Sequence, residues 1–280
     1  MNTIILWNPT IKKWVTLPLP RFECPDEYSQ VLGFGYDPKT NDYKVVRLAY
    51  LNWEDSPKVE LYSFRKGYWG SISSPLPPPD AIRYLSYPAF VNGAVNWLAS
   101  EERMYCQLIL SFSMEDELFC EIKLPESLVE EFMPDMCIDV FGESLALFHY
   151  DIRTTIEVCT IWVMKEYKVV ESWTKLFNIV LGESLVFGIR RNSELLLATR
   201  DGKVTSYDPK TQQRNDIGLH GTPGSFCVHS YLPSLVLLDE ANGVQGAQYV
   251  LEGSSEGTSS LGEEGGGNGE NTDMEGSNKE

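Results

Sequence analysis

The residues of this chain that could bind a metal or carry out catalysis are few and irregularly spaced. Its three histidines, His149, His220 and His229, do not have the spacing of metal ligands, and we expect each of them on a loop or at a strand end. No G-x-S-x-G motif marks a serine nucleophile. The sequence therefore predicts no metal site, no cofactor and no serine hydrolase.

Paired carboxylates are a separate possibility, because some five-bladed propellers are glycosidases with acids near the axis. Asp139, Asp151 and Glu157 lie within or near β-like runs. With 40 acidic residues in the chain, acids near strands are expected by chance, and the spacing brings no two of them together. A glycoside hydrolase stays an alternative, and the main prediction is a protein that is not an enzyme.

Gly33-Phe34-Gly35 is similar to the start of a phosphate-binding loop, but the rest of that motif is missing. The third glycine is absent, and Tyr36-Asp37-Pro38 follows, so no helix opens there. Glycine inside a strand often marks a close approach of another chain segment. The sequence therefore predicts an inner strand with close backbone packing.

Composition limits the possible partners and the compartment. The net charge of −17 disfavours nucleic acid and anionic membranes, because both repel an acidic surface. The six cysteines show no paired spacing, which is typical of reduced thiols in the cytoplasm or nucleus. No run approaches the ~20 apolar residues of a membrane helix. We expect a folded domain over residues 1–240 and a disordered, acidic Gly/Ser-rich tail over residues 241–280.

Two loops carry aromatic and acidic residues that suit protein binding. The first contains Trp53, Glu54 and Asp55, and the second contains Tyr84 and Tyr87 after a proline-rich run. Aromatic side chains on rigidly held loops lose little entropy on binding. We predict these residues as partner-binding; the alternative is that the rings fold back onto the edge of a sheet.

Short β-like runs separated by turn residues fill the chain. They recur as two repeating patterns, which we call the aromatic register and the apolar register. Aromatic residues open one set of strands at Trp14, Trp69, Phe119 and Trp173, with spacings of 55, 50 and 54. Strongly apolar strands contain Val95, Leu145, Leu195 and Leu235, with spacings of 50, 50 and 40. Such a period is typical of one four-stranded propeller blade. We expect the apolar strand to be innermost and the aromatic strand outermost.

Asn8-Pro9, Asp37-Pro38 and Asp208-Pro209 share one turn design, in which the side-chain oxygen accepts a hydrogen bond from the backbone two residues on. The predicted fold is all-β and propeller-like, with five to six four-stranded blades. Outer-type strands begin the chain and an inner-type strand lies at 226–238, so pairing of the two ends would close the ring.

The ordered set of motifs resembles the F-box-associated domain of plant F-box proteins, including the S-locus F-box and F-box/kelch groups. The segments that carry the resemblance include Ile5-Leu6-Trp7-Asn8-Pro9-Thr10, Gly33-Phe34-Gly35-Tyr36-Asp37, Asn41-Asp42-Tyr43-Lys44-Val45-Val46-Arg47, Val59-Glu60-Leu61-Tyr62-Ser63 and Phe90-Val91-Asn92-Gly93-Ala94-Val95-Asn96-Trp97-Leu98. The resemblance implies a substrate receptor of an SCF-type ubiquitin ligase, in which the propeller selects the target protein. It implies no catalytic residue in this domain.

The sequence departs from the family pattern at its start. The F-box that binds the Skp-type adaptor, and through it the cullin, should precede the domain, yet Met1 stands directly before the first strands. We therefore expect this chain by itself to bind a target without recruiting the ligase; a truncated form, an alternative product and a decoy stay open. A generic kelch-like interaction scaffold is the remaining alternative, although the Gly-Gly doublet of kelch blades is absent from the predicted domain.

Overall fold

Almost all of the regular structure in this protein is β-strand. The computed structural model describes residues 3–26, 29–52, 56–72, 82, 87–101, 106–129, 135–151, 158–182, 184–190, 192–222, 226, 228, 231 and 233–236. Within these ranges the helical segments are α1 (Glu126–Val129) and a 3₁₀ turn at Val170–Ser172. The prediction of an all-β chain is confirmed.

In the described part of the chain the strands form five antiparallel sheets. An N-terminal hairpin contains β1 (Ile5–Asn8) and β2 (Lys13–Thr16). The first sheet contains β3 (Gln30–Asp37), β4 (Asp42–Ala49), β5 (Lys58–Ser63) and β6 (Tyr68–Ser71). The second contains β7 (Ala89–Val91), β8 (Ala94–Glu101), β9 (Cys106–Ser113) and β10 (Phe119–Lys123). The third contains β11 (Asp135–Phe141), β12 (Ser144–Asp151), β13 (Val158–Met164) and β14 (Trp173–Val180), and the fourth contains β15 (Ser184–Ile189), β16 (Leu195–Thr199), β17 (Lys203–Asp208) and β18 (Gln213–His220).

Consecutive strands pair within each sheet, so the connections alternate between its two ends. The turn from the first strand to the second and the turn from the third to the fourth lie at one end, which we call the turn face. The connection from the second strand to the third and the connections between sheets lie at the other end, which we call the loop face. An ion pair of 3.6 Å between Lys39 and Glu115 joins the turn ends of the first and second sheets.

Apolar clusters fill the space between neighbouring sheets. Val46 and Trp97 belong to the cluster between the first and second sheets, and both are fully buried. Similar clusters join the second sheet to the third, the third to the fourth, and the N-terminal hairpin to the first sheet. Each fully buried large apolar side chain contributes about 1.5–3 kcal/mol to folding. The predicted propeller-like arrangement is thereby confirmed, with five sheets in the described residues.

The predicted place of the aromatic strands is correct, and that of the apolar strands is wrong by one strand. The aromatic residues lie in the last strands: Trp14 in β2, Trp69 in β6, Phe119 in β10 and Trp173 in β14. Three of the apolar residues lie in the second strands: Val95 in β8, Leu145 in β12 and Leu195 in β16. The first strand is the innermost, since β11 lies against both β7 and β15. The second strand is strongly apolar because it is paired on both edges and covered on both faces.

Gly33 and Gly35 on β3 allow the first sheet to approach the second closely, as the sequence predicts. A Cβ atom at Gly33 would lie 2.5 Å from the Trp97 ring, and one at Gly35 would lie 2.3 Å from the Phe90 ring. The Trp97 Nε1–H also donates to the carbonyl oxygen of Leu32, at 3.2 Å. Glycine is required here because no other residue leaves room for the neighbouring aromatic side chains.

The three predicted Asn/Asp-Pro turns are present, and they share their geometry. The side-chain oxygens of Asn8, Asp37 and Asp208 accept hydrogen bonds from the backbone N–H two residues on, at 3.0, 2.9 and 2.8 Å. The residue four positions after each of them has a positive φ: Lys12, Asn41 and Gln212. These turns, each with four residues between the strands, connect β1–β2, β3–β4 and β17–β18.

Neighbouring sheets are joined by hydrogen bonds between their last strands. A side chain near the start of the last strand of one sheet donates to a main-chain carbonyl at the end of the last strand of the sheet before it. The Nε1–H of Trp69 donates to the Pro18 oxygen at 2.8 Å, and that of Trp173 donates to the Lys123 oxygen at 3.0 Å. Arg214 takes the same place on β18 and donates to the Val180 and Leu181 oxygens. Phe119 has the equivalent place on β10 and packs against the cluster between the first and second sheets.

The two ends of the folded chain meet beside the N-terminal hairpin. The Asn8 Nδ2 donates to the carbonyl oxygens of Ser234 and Val236, each at 3.0 Å. Phe226 and Val228 lie against the fourth sheet, at Phe187 and Gly188. The described part of residues 226–236 thus bridges the fourth sheet and the hairpin, although it contains no assigned strand.

Candidate binding surface on the loop face

Most of the predicted binding residues lie outside the described residues. Trp53, Glu54, Asp55 and Tyr84 belong to this group. Tyr87 is described, stands two residues before β7 and is 59% exposed. The β4–β5 and β6–β7 connections, in which the five residues occur, both begin at the loop face. Their role in binding stays a prediction.

On the loop face, the segment from β2 to β3 is held in place by a buried arginine that the sequence did not indicate. The Arg47 guanidinium donates from Nη1 to the Phe22 oxygen at 3.0 Å and from Nε to Gln30 Oε1 at 2.7 Å. Its Nη2 donates to the Cys24 Sγ at 3.0 Å. Arg47 lies on β4 and is 3% exposed, so one strand fixes two points of the segment and the first residue of β3.

Glu60 compensates the buried charge of Arg47. The two residues are direct cross-strand partners on β4 and β5, and their side chains form an ion pair. The other carboxylate oxygen of Glu60 accepts a hydrogen bond from the Arg21 N–H at 2.9 Å. A buried charge without a partner is strongly unfavourable, so this pair fixes the conformation of residues 21–24.

A pocket of about 320 Å³ lies against this segment. Its lining comprises Leu19, Pro20, Arg21, Phe22, Glu23, Cys24, Pro25, Asp26, Gln30 and Arg47. Burial raises the pKa of the Cys24 thiol even though Arg47 lowers it, so this thiol is protonated and a poor nucleophile. Arg47 is already paired with Glu60. The thiol and the guanidinium in the pocket wall are therefore both engaged by contacts within the protein.

The two acids of the glycosidase alternative that the structure describes do not meet. Asp139 on β11 is opposite Ala146 on β12, and Asp151 lies five residues farther along β12. At about 3.3 Å per residue the two positions are roughly 16 Å apart, beyond the ~5–10 Å between glycosidase carboxylates. Glu157 and His229 lie outside the described residues. Among the residues that the structure describes, no group of three or more His, Cys, Asp or Glu side chains could hold a metal ion.

Large apolar side chains are exposed on both faces. On the loop face, Leu19 is 58% exposed and Leu51, two residues after β4, is 41% exposed. On the turn face, Tyr68 and Leu118 follow hairpin turns and are 57% and 52% exposed. What distinguishes the loop face is the pocket beside Leu19 and the ion pair that holds its wall.

No helix in the described ranges is long and apolar enough to cross a membrane. Among solved structures, the chain is similar to one from an analysis of two prolyl endopeptidases, with a TM-score of 0.43 and 13% identity over 75% of this chain and 32% of that chain. A similarity of this size supports no argument about function.

Sequence comparisons point to plant F-box proteins. The chain is 24% identical to the F-box protein CPR1 of Arabidopsis thaliana, over 84% of this chain and 63% of that protein. It is 32% identical to the F-box/kelch-repeat protein At3g23880 of the same plant, over 64% of this chain and 48% of that protein. The chain thus spans less than two thirds of the length of either relative. Residues 1–238 match the F-box associated beta propeller domain, and the chain belongs to that family.

Proposed function

We propose that this domain is the target-recognition part of an SCF-type ubiquitin ligase and that it holds a target protein on its loop face. The observation that carries the proposal is the segment between β2 and β3, which Arg47 and Glu60 hold rigidly beside a pocket. A rigid surface loses little entropy on binding, and apolar side chains around a pocket supply the main contacts of such interfaces. Family membership supports the link to F-box proteins.

In this proposal the chain carries out no catalysis. An F-box joined to the domain would bind the Skp-type adaptor and the cullin, and the transfer of ubiquitin would belong to other subunits. We place the protein in the cytoplasm or nucleus, and we propose that residues 241–280 take no part in target recognition. Since Asp139 and Asp151 are far apart along β11 and β12, no observation favours a glycosidase.

The test compares matched substitutions on the two faces. Leu19→Ser, Leu51→Ser and Tyr87→Ser each remove an exposed apolar side chain from the loop face, and Tyr68→Ser and Leu118→Ser do so on the turn face. Each variant is expressed in Arabidopsis cells, and its partners are identified by proximity labelling and mass spectrometry. We expect the loop-face variants to lose a common set of proteins that the turn-face variants retain. Equal loss from both faces would contradict the assignment of the loop face.

A second experiment tests the ligase role. The domain is fused behind an F-box, and the abundance of each captured protein is measured with and without proteasome inhibition. A target should become less abundant with the fusion, and Leu19→Ser should restore its level. If abundance never depends on the F-box, the domain binds partners outside the ubiquitin pathway.

A further inference from the structure

The pocket beside residues 19–26 combines apolar side chains with a few polar groups. Its apolar lining includes Leu19, Phe22 and Pro25. Apolar walls hold many ligands equally well, whereas each polar group in a pocket favours a ligand atom with the complementary hydrogen-bonding role. The donors and acceptors that the polar groups leave unused within the folded protein therefore indicate what the pocket can bind.

The buried Arg47 retains one unused donor. A guanidinium carries five N–H groups. In Arg47, Nε donates to Gln30 and Nη2 donates to the Cys24 Sγ. The two N–H groups of Nη1 donate to the Phe22 oxygen and to Glu60. The second N–H of Nη2 has no acceptor among the described residues, although the side chain is almost fully buried and lines the pocket. A ligand acceptor in the pocket would satisfy it.

Gln30 provides a second donor. Its Oε1 accepts the hydrogen bond from Arg47 Nε at 2.7 Å, and since a guanidinium has no acceptor, this contact fixes which end of the amide is the oxygen. The Nε2 amino group at the other end has no acceptor among the described residues. Gln30 also lines the pocket. Together, Arg47 and Gln30 offer donors for the two lone pairs of a carbonyl oxygen.

Asp26 provides the complementary acceptor. Its Oδ1 accepts hydrogen bonds from the Ser29 N–H at 2.8 Å and from the Ser29 hydroxyl at 2.7 Å, so the orientation of the carboxylate is fixed. In the part of the chain that the structure describes, its Oδ2 receives no hydrogen bond. Because Asp26 lines the pocket, this oxygen is available to an N–H donor on a ligand.

The charges around the pocket disfavour an anionic ligand. Arg47 is neutralised by its ion pair with Glu60. The other ionised side chains in the described lining are those of Arg21, Glu23 and Asp26, which leave an excess of one negative charge. A carboxylate would be repelled by this excess, and an ammonium group has no acceptor for the two donors. An apolar side chain would leave all of the unused polar groups without partners.

We propose that the pocket binds a carboxamide side chain, that of glutamine or asparagine, on the target protein. The carboxamide oxygen accepts from Arg47 and Gln30, and the amino group donates to Asp26 Oδ2. The methylene groups of the same side chain pack against Leu19 and Phe22. A carboxamide suits the pocket because it carries a carbonyl acceptor and N–H donors side by side without a net charge. The inference rests on the proposed binding of a target at the loop face, and it adds the kind of residue that is recognised there.

A phage-displayed library of random peptides, panned against the full chain, tests this preference. Each binder is then measured against Leu19→Ser, which removes part of the apolar lining. We expect the binders that depend on Leu19 to share a glutamine or an asparagine. In a synthetic peptide, replacement of that residue by glutamate or by leucine should weaken binding about tenfold in fluorescence polarisation.

The outcomes separate this inference from the proposed function. If the Leu19-dependent binders share an acidic or an apolar residue instead, the pocket binds peptides but the carboxamide inference is wrong. If the library yields no binder that depends on Leu19, the pocket is not a peptide site and the inference fails with it. The assignment of the loop face is judged separately, by proximity labelling with the variants of the two faces.

Two substitutions that preserve the internal hydrogen bonds test the separate roles. Asp26→Asn keeps an oxygen for Ser29 and replaces Oδ2 by an amino group, so binding should shift from the glutamine peptide towards its glutamate version. Gln30→Glu keeps an oxygen for Arg47 and removes the amino donor, so it should weaken the glutamine peptide about tenfold.

Asp116→Asn is the matched control for both. It removes one negative charge from a hairpin turn on the turn face, where the side chain accepts a hydrogen bond from Ser113, and should leave both affinities unchanged. Circular dichroism and thermal midpoints establish that every variant is folded. An unaltered preference in Asp26→Asn, or an unaltered affinity in Gln30→Glu, would overturn the proposal.

Discussion

The indole Nε1–H of Trp173 donates a hydrogen bond to the main-chain oxygen of Lys123, 3.0 Å away, and so joins the outer strand of the third sheet to the end of the outer strand of the second. The contact is largely buried, since Trp173 is 8% exposed. Removing the donor from such a contact costs the stabilisation of the hydrogen bond and part of the desolvation of the carbonyl. The outer strands of neighbouring sheets are therefore joined by specific polar contacts as well as by apolar packing.

Trp173→Phe measures the strength of this contact. We expect a loss of about 1–3 kcal/mol in the free energy of unfolding, because the Lys123 carbonyl is left without its indole donor. Trp162→Phe is the matched control: Trp162 packs against the same cluster, and its Nε1 has no hydrogen-bond partner in the described structure. Urea denaturation followed by circular dichroism compares the two. If both variants lose the same stability, the hydrogen bond contributes little beyond ring packing.

Gly33→Ala tests the close approach of the first two sheets. The added methyl group would meet the Trp97 ring and Val95 at 2.5 and 2.7 Å, so we expect a loss of about 1–3 kcal/mol or more. Gly70→Ala on β6 is the control, since the nearest atom to its Cβ would be the Leu61 oxygen at 3.8 Å. That variant should equal the wild type or exceed it by about 0.5–1 kcal/mol, because alanine restricts the unfolded chain. Thermal and urea midpoints of both variants decide the matter, and equal losses would refute close packing as the cause.

The Arg47–Glu60 pair predicts strong coupling between two substitutions. Glu60→Gln leaves the Arg47 charge buried without its counter-ion, and Arg47→Met leaves the Glu60 charge likewise; each should cost about 3–5 kcal/mol. The double variant should lose clearly less than the sum, because no charge then stays buried alone. Limited proteolysis should also cut residues 19–26 faster in both single variants. Additive losses would show that the two side chains act independently.

We expect the free energy of unfolding to fall in acid, because the Asp37 carboxyl stabilises the fold in its charged form. Burial by itself would raise its pKa, but hydrogen bonds from Lys44, Thr40 and the Lys39 N–H outweigh it and lower the pKa from 3.8 to about 2. Because the folded-state pKa is the lower one, this contribution is complete above about pH 4 and is lost as the pH falls towards about 2.

Asp37→Asn is the comparison for this prediction. Asparagine keeps the turn oxygen, as Asn8 does in the first hairpin, and cannot ionise. The variant should be less stable at neutral pH, and its stability should fall less steeply between pH 4 and 2 when measured by urea denaturation. Parallel pH profiles would mean that other carboxyl groups account for acid unfolding.

The repeat pattern predicted the sheets because each repeat carries the same local chemistry. The aromatic register marks outer strands since a residue two positions after the hairpin turn faces the preceding sheet, as Trp69 does. Arg214 escaped this pattern because it is not aromatic, although it supplies an N–H donor at this position as Trp69 does. The apolar register was assigned to the innermost strands but belongs to the second strands. In the innermost strand β3, the neighbouring sheet leaves room only for glycine at positions 33 and 35.

The candidate site was much less predictable. Residues 19–26 have neither strand nor helix periodicity, so nothing in the sequence indicates a fixed conformation. The contact that fixes them depends on Arg47 and Glu60 being cross-strand partners, and a shift of one residue in the β4–β5 register would separate their side chains. Exposed aromatic residues were the only available sequence signal, and they led to loops that lie mostly outside the described residues.

The order along the chain of donor and acceptor, in the hydrogen bonds between the last strands of neighbouring sheets, bears on how the protein folds during synthesis. In each of them the acceptor comes earlier in the chain: Pro18 before Trp69, Lys123 before Trp173, and Val180 before Arg214. As the polypeptide leaves the ribosome, the outer strands of the first, third and fourth sheets therefore each meet a partner carbonyl that has already been synthesised. Assembly can proceed vectorially from the N-terminus, whereas the hydrogen bonds of Asn8 with Tyr231, Ser234 and Val236 must wait until residues 231–236 have emerged.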